Sequence, residues 1–170
     1  MRTVVPLAQA TAAMQTSGAP DTGTGGDRKM KATNHVAIIV AAVVFFAIGA
    51  VWYTAFQTPW LAGIGKTVEQ IMKENGGSPL PYVVGFVAIL VMCYTLGWIV
   101  QRGMEPTAGN GALTGATVAF GIVGATLALN YGFEARGITL WLINAGYVLI
   151  GLVIAGTIIG GWKKKTKPGN

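Results

Sequence analysis

Few residues in this chain could do chemistry, and those that could gather in its second half. Glu134 and Arg136 lie in a short link between two apolar stretches, with Asn130 just before them and Asn144 and Tyr147 beyond. A carboxylate and a guanidinium this close can pair and pin a turn, which is the favoured reading. They can also form the polar end of a shallow outer pocket whose walls carry two amides and a phenol. Such a set binds through hydrogen bonds and charge. Asn130 and Asn144 are expected to hydrogen-bond across the helix pair at ~1 kcal/mol.

Other chemistries lack their residues. The chain has one His and one Cys, His35 and Cys93. Neither a disulfide framework nor a Cys/His zinc site can be built from them. No paired carboxylates, P-loop or Gly-rich nucleotide motif follows a strand pattern. Cys93 reads as a small apolar filler and His35 as an interfacial residue. The expectation is therefore no catalytic residue, no metal, no cofactor and no enzyme.

The elements that must position the polar set are long and apolar. Of 170 residues 52% are hydrophobic and only 11% charged, against roughly 25% charged in soluble domains. The charges are absent from four windows, 32–65, 75–101, 106–133 and 137–162. Each exceeds the ~20 residues that a helix needs to cross a bilayer. The apolar stretches within them predict spans at 36–56, 82–100, 112–131 and 140–161. They are apolar all round, without the polar stripe of a soluble helix or the alternation of a barrel strand. The fold class is an all-α, four-helix transmembrane bundle. The short link 132–137 makes the last two spans an antiparallel hairpin.

Charge placement gives an orientation. Nine Lys/Arg fall on the side of both termini and of Arg102, and three (Lys66, Lys73 and Arg136) on the other, while the acids divide evenly. The positive-inside rule then puts both termini in the cytoplasm of a cell (inner) membrane. Nucleic acid is not an expected partner, because Lys163, Lys164, Lys165 and Lys167 form a short tail at a membrane exit. Residues 1–33 read as a disordered tail, with Met30 a plausible true start, and 163–170 as a basic tail around the membrane domain 34–162. Asn34 stands where a helix N-cap belongs. In the first outer loop Ile64, Val68, Ile71 and Met72 repeat at helical spacing, with Glu69 and Lys73 in the favourable order. This predicts a short amphipathic helix in the interface plane, with membrane lipid as its partner. Trp52, Tyr53, Trp60 and Trp141 mark one membrane level, and Trp98 and Trp162 the other, as interface anchors.

Of the 25 glycines, eleven sit inside the predicted spans. Small residues let membrane helices approach closely. Gly111, Gly115 and Ala119 recur every four residues in the third span, and Gly156 and Gly160 form a GxxxG in the fourth. These spans are expected to be the tight pair. The pattern leaves open whether GxxxG packs within the chain or between chains.

Two stretches carry a family resemblance. One is Asn34-His35-Val36-Ala37, then Ala47-Ile48-Gly49-Ala50-Val51-Trp52-Tyr53 and Trp60. The other is Asn130-Tyr131-Gly132-Phe133-Glu134, then Ile143-Asn144-Ala145-Gly146-Tyr147 and Gly160-Gly161-Trp162. Over residues 34–162 the chain resembles a bacterial family of small four-span membrane proteins, domain of unknown function 1761. The resemblance implies a fold and brings no activity. The favoured function is a non-enzymatic structural or accessory subunit, packing against other membrane proteins or itself through its small-residue faces. The alternative is a small-molecule or lipid binder, or minor transporter, with an outward pocket at Asn130, Glu134, Arg136, Asn144 and Tyr147.

Overall fold

Asn34 opens the first helix, its side-chain oxygen accepting the Ala37 N–H at 3.3 Å, one of the donors a helix start leaves unpaired. From there the computed structural model, which describes residues 34–162, is helical with short links. The tails 1–33 and 163–170, and Met30 with them, lie outside the described residues. The helices are α1 (His35–Ala55), α2 (Gln57–Ile64), α3 (Val68–Asn75), α4 (Leu80–Arg102), α5 (Ala108–Val118), a π-helical segment (Ala119–Gly124), α6 (Ala125–Phe133) and α7 (Ile138–Gly161). Four spans are long and apolar enough to cross a bilayer: α1, α4, α7, and α5 through α6 as Ala108–Phe133. The shortest has 21 residues, about 31 Å at the rise of an α-helix. The described residues form helices and short links, and the four apolar spans make this a multi-pass membrane protein.

The loop after α1 holds two helices where the periodicity predicts one. Ile64 ends α2, because Gly65 takes a left-handed φ of 68° that closes the helix. Thr67 then begins α3 with a reciprocal capping box to Gln70. The expected Glu69–Lys73 pair is replaced by Lys66–Glu74 at 2.5 Å. Glu69 turns back on the helix start, where its own backbone N–H and the Thr67 hydroxyl hold its carboxyl below the usual range.

The third span departs from a regular α-helix. One π turn adds a residue to the spiral and re-aims everything beyond it by about 100°. The carbonyl of Gly124, at its end, accepts the indole N–H of Trp141 from α7 at 2.9 Å.

The helix α7 packs on every other span. On one side it meets α5 backbone to backbone. A Cβ on Gly111 would run into the Gly156 carbonyl, one on Gly115 into the Leu152 carbonyl, and one on Gly160 into the Thr107 carbonyl. On its other side α7 meets α1 through rings laid on glycines. Phe45 sits on Gly151, Trp52 on Gly146 and, from the opposite helix, Tyr147 on Gly49. The core, built on Ile38, Phe45, Leu96 and Leu152, contains no buried polar or charged residue among the described ones. Val36, Val43, Val84, Val91 and Leu113 point outward, each more than half exposed, as lipid contact requires.

Close backbone contact leaves no room to repack. Gly111→Val and Gly156→Val are expected to lower stability by at least ~1–3 kcal/mol. Gly132→Ala, whose Cβ meets nothing within 4 Å, leaves it unchanged or slightly raised. Unfolding midpoints in detergent micelles check the contrast.

Candidate functional site

The ring-on-glycine seam between α1 and α7 brings Tyr53 alongside Asn144. The Tyr53 hydroxyl donates to Asn144 Oδ1 at 2.9 Å. Asn144 Nδ2 donates in turn to the Tyr131 hydroxyl of α6 at 2.7 Å. One half-buried amide thus ties together the first, third and fourth spans. Above it, Ala135 adopts a left-handed φ of 51°, a conformation that costs a non-glycine residue about 1–2 kcal/mol. The turn is held by Arg136 N–H donating to the Tyr131 carbonyl at 3.0 Å and by the ion pair of Arg136 Nε with Glu134. The Arg136 guanidinium lies 5.8 Å from the Tyr131 ring centre, within cation–π reach.

These groups line an open pocket of about 580 Å³, within the size range of small-molecule sites. Its polar residues are Tyr53, Tyr131, Glu134, Arg136, Asn144 and Tyr147, and Trp60 and Ile64 close it from α2. Val123, from the π segment, Leu127 and Val148 form an apolar floor. Four of the five residues expected at an outer pocket are therefore together. Asn130 is not among them. It is exposed on α6, and the partners of Asn144 are two phenols rather than Asn130. The π turn sets the phase that directs Tyr131, not Asn130, at α7.

A second cavity, of about 670 Å³, lies between α1 and α4 at the same end. It is mostly apolar, lined by Phe46, Gly49, Ala50, Gly85, Ala88 and Met92 among others, and shares Tyr53, Trp60 and Tyr147 with the first. Sequence reasoning missed it and the roles of Tyr53 and Tyr131. The available signal was Gly49 and Gly146, spaced so that α1 and α7 seat each other's rings.

The aromatic residues expected as anchors divide in use. Trp52 donates its indole N–H to the Ile143 carbonyl at 3.0 Å, so with Tyr53 and Trp141 it ties helices to one another. Trp98 is half exposed and stacks under the Arg102 guanidinium at 4.2 Å. Trp162 ends α7, 43% exposed. At that end His35 Nδ1 lies 3.1 Å from the Tyr94 hydroxyl, beside Thr95 and Trp98. No group of three His, Cys, Asp or Glu among the described residues could hold a metal. The polar pocket can orient a ligand by hydrogen bonding; its groups are amide, phenol and a paired charge.

No curated protein and no solved structure matches the chain. Residues 36–160 match the family described as protein of unknown function DUF1761. The match spans all four membrane helices and the whole of the polar pocket, and the chain belongs to that family.

Proposed function

We propose that this protein is a membrane binding protein without catalysis, holding a small molecule or lipid in the pocket between α1, α2, α6 and α7. One observation carries the reading. Asn144 is half buried in an apolar bundle and hydrogen-bonded to phenols from two other spans, within a cavity of ligand size. Polar groups inside a membrane are costly and mark functional positions. Apart from Arg102 at the end of α4, the spans hold no Asp, Glu, Lys or Arg, which favours binding over coupled transport. The accessory-subunit reading relied on the small-residue faces of the third and fourth spans. Gly111, Gly115, Gly156 and Gly160 spend those faces on each other within the chain, so a second protein would need another surface.

The orientation proposed with it has both termini in the cytoplasm of a cell membrane and the pocket on the opposite face, on the strength of the nine-to-three division of Lys and Arg. In that frame α3 lies in the headgroup plane. Its Val68 and Met72 are 38% and 66% exposed, an apolar stripe that the protein itself leaves to lipid.

Two measurements test these proposals. Native mass spectrometry of protein purified in mild detergent should find a bound non-protein molecule that Trp60→Ala and Asn144→Leu release. Asn144→Leu should also lower stability by about 1–2 kcal/mol through two lost hydrogen bonds. Absence of any bound molecule, with only the stability changing, overturns the binding reading. For orientation, Lys73→Cys and Arg102→Cys in a Cys93→Ala background are treated with a membrane-impermeant maleimide on intact cells. Residue 73 labels and residue 102 does not; the reverse pattern overturns the topology.

A further inference from the structure

The polar pocket has more donors than the protein uses. The trio of Tyr53, Asn144 and Tyr131 carries two phenolic hydrogens and two amide hydrogens. Its two internal bonds, at 2.9 and 2.7 Å, use one phenolic and one amide hydrogen. Rotating the Asn144 amide by half a turn reverses both bonds and leaves the same remainder. One phenolic and one amide hydrogen stay unused in either arrangement. The indole N–H of Trp60, in the wall of the same pocket, adds a third donor without a protein acceptor among the described residues.

The remaining polar groups supply no such acceptor. Tyr147 directs its hydroxyl away, to the Phe45 carbonyl at 3.4 Å. Glu134 is engaged by Arg136 at the rim, and the two side chains stay 49% and 36% exposed to solvent. That pair sums to zero charge. A phosphate would meet the Glu134 carboxylate and an ammonium the Arg136 guanidinium, so neither finds a free counter-charge. Val123, Leu127, Val148 and Ile64 cover the rest of the wall with apolar surface.

We infer that the occupant is an uncharged amphiphile whose carbonyl oxygen accepts from the unused donors of the Tyr53–Asn144–Tyr131 trio while its apolar part lies on Val123, Leu127 and Val148. This rests on the binding reading above and names the ligand's chemical class. A quinone and an acyl ester both present that chemistry.

The test inverts the donor inventory without changing its shape. In Asn144→Asp both phenols donate to the carboxylate, and the trio keeps no donor for a ligand. Isothermal titration in mild detergent at about pH 8 compares four probes. They are a benzoquinone with a short isoprenoid tail, a short-chain diacylglycerol, phosphatidic acid of the same chain length, and an alkylammonium. At least one carbonyl probe should bind tenfold or more tightly than the charged pair. Asn144→Asp should weaken it at least tenfold, and Tyr131→Phe, which removes one hydroxyl alone, by a smaller factor. The two carbonyl probes separate a quinone from a glyceride source. Tighter binding of a charged probe, still abolished by Asn144→Asp, overturns the ligand class and leaves the pocket standing. Binding of every probe unchanged by both variants, with unfolding midpoints near wild type, overturns the class and the pocket together.

Discussion

The contact on which the rest of the structure depends is the one between α5 and α7, where no side chain intervenes. Gly111, Gly115, Gly156 and Gly160 let two backbones approach until a carbonyl occupies the place of a missing Cβ. In a bilayer nothing expels these helices from their surroundings, since lipid tails are as apolar as leucine. What favours association is close packing and the interactions it permits. Fixing α5 against α7 uses one face of α7 and fixes its rotation. Its opposite face, with Gly146, Tyr147 and Gly151, is then committed to α1, and the seam of rings on glycines sets α1 in register. Tyr53 reaches Asn144 only in that register.

The pocket is thus a product of packing geometry. Its three polar anchors come from helices far apart in sequence, 91 residues between Tyr53 and Asn144, and none of them carries a charge. This suits the site's depth. A buried ion would need a partner or would shift toward its neutral form, whereas an amide and two phenols satisfy one another at modest cost. The charges that do occur, Glu134 and Arg136, are kept at the rim and neutralise each other.

Much of the architecture was legible in the chain. Charge-free windows of sufficient length left little freedom over the number of spans, and the four-residue spacing of glycines in the last two spans pointed to their close pairing. Tertiary register was less legible. That α1 seats its rings on α7 depends on matching Gly49 with Tyr147 and Gly146 with Trp52, and each alone resembles any glycine or aromatic of a membrane helix. The π turn was hidden for a different reason. The segment Ala119–Gly124 is a plain apolar run whose local preferences do not distinguish one helical pitch from another. Trp141, from another span, meets the carbonyl at its end. Asn130 is expected at the pocket for its polar amide beside the Glu134–Arg136 turn, whereas in the fold Tyr131 lines it. The apolar spacing from Ile64 to Met72 predicts one helix, but Gly65 lies within that run and its left-handed φ divides it in two.

The aromatic residues join these threads. Tyr and Trp settle at membrane interfaces because one end of each is apolar and the other needs a hydrogen-bond acceptor. Here the acceptors are partly internal: Trp52 finds the Ile143 carbonyl, Trp141 that of Gly124 and Tyr53 the amide of Asn144. A belt residue turned inward in this way serves two ends. Its ring fills the space beside a glycine, and its polar hydrogen crosses to the next helix. Each indole brings an N–H and no acceptor, so it must find an oxygen with a lone pair to spare. Trp52 uses a carbonyl within the regular helix α7, and Trp141 one at the end of the π segment. At the end of the bundle nearest α2 lies a cavity, lined by Tyr131 and Trp60. The arrangement that holds the spans together therefore also fixes what the cavity can accept.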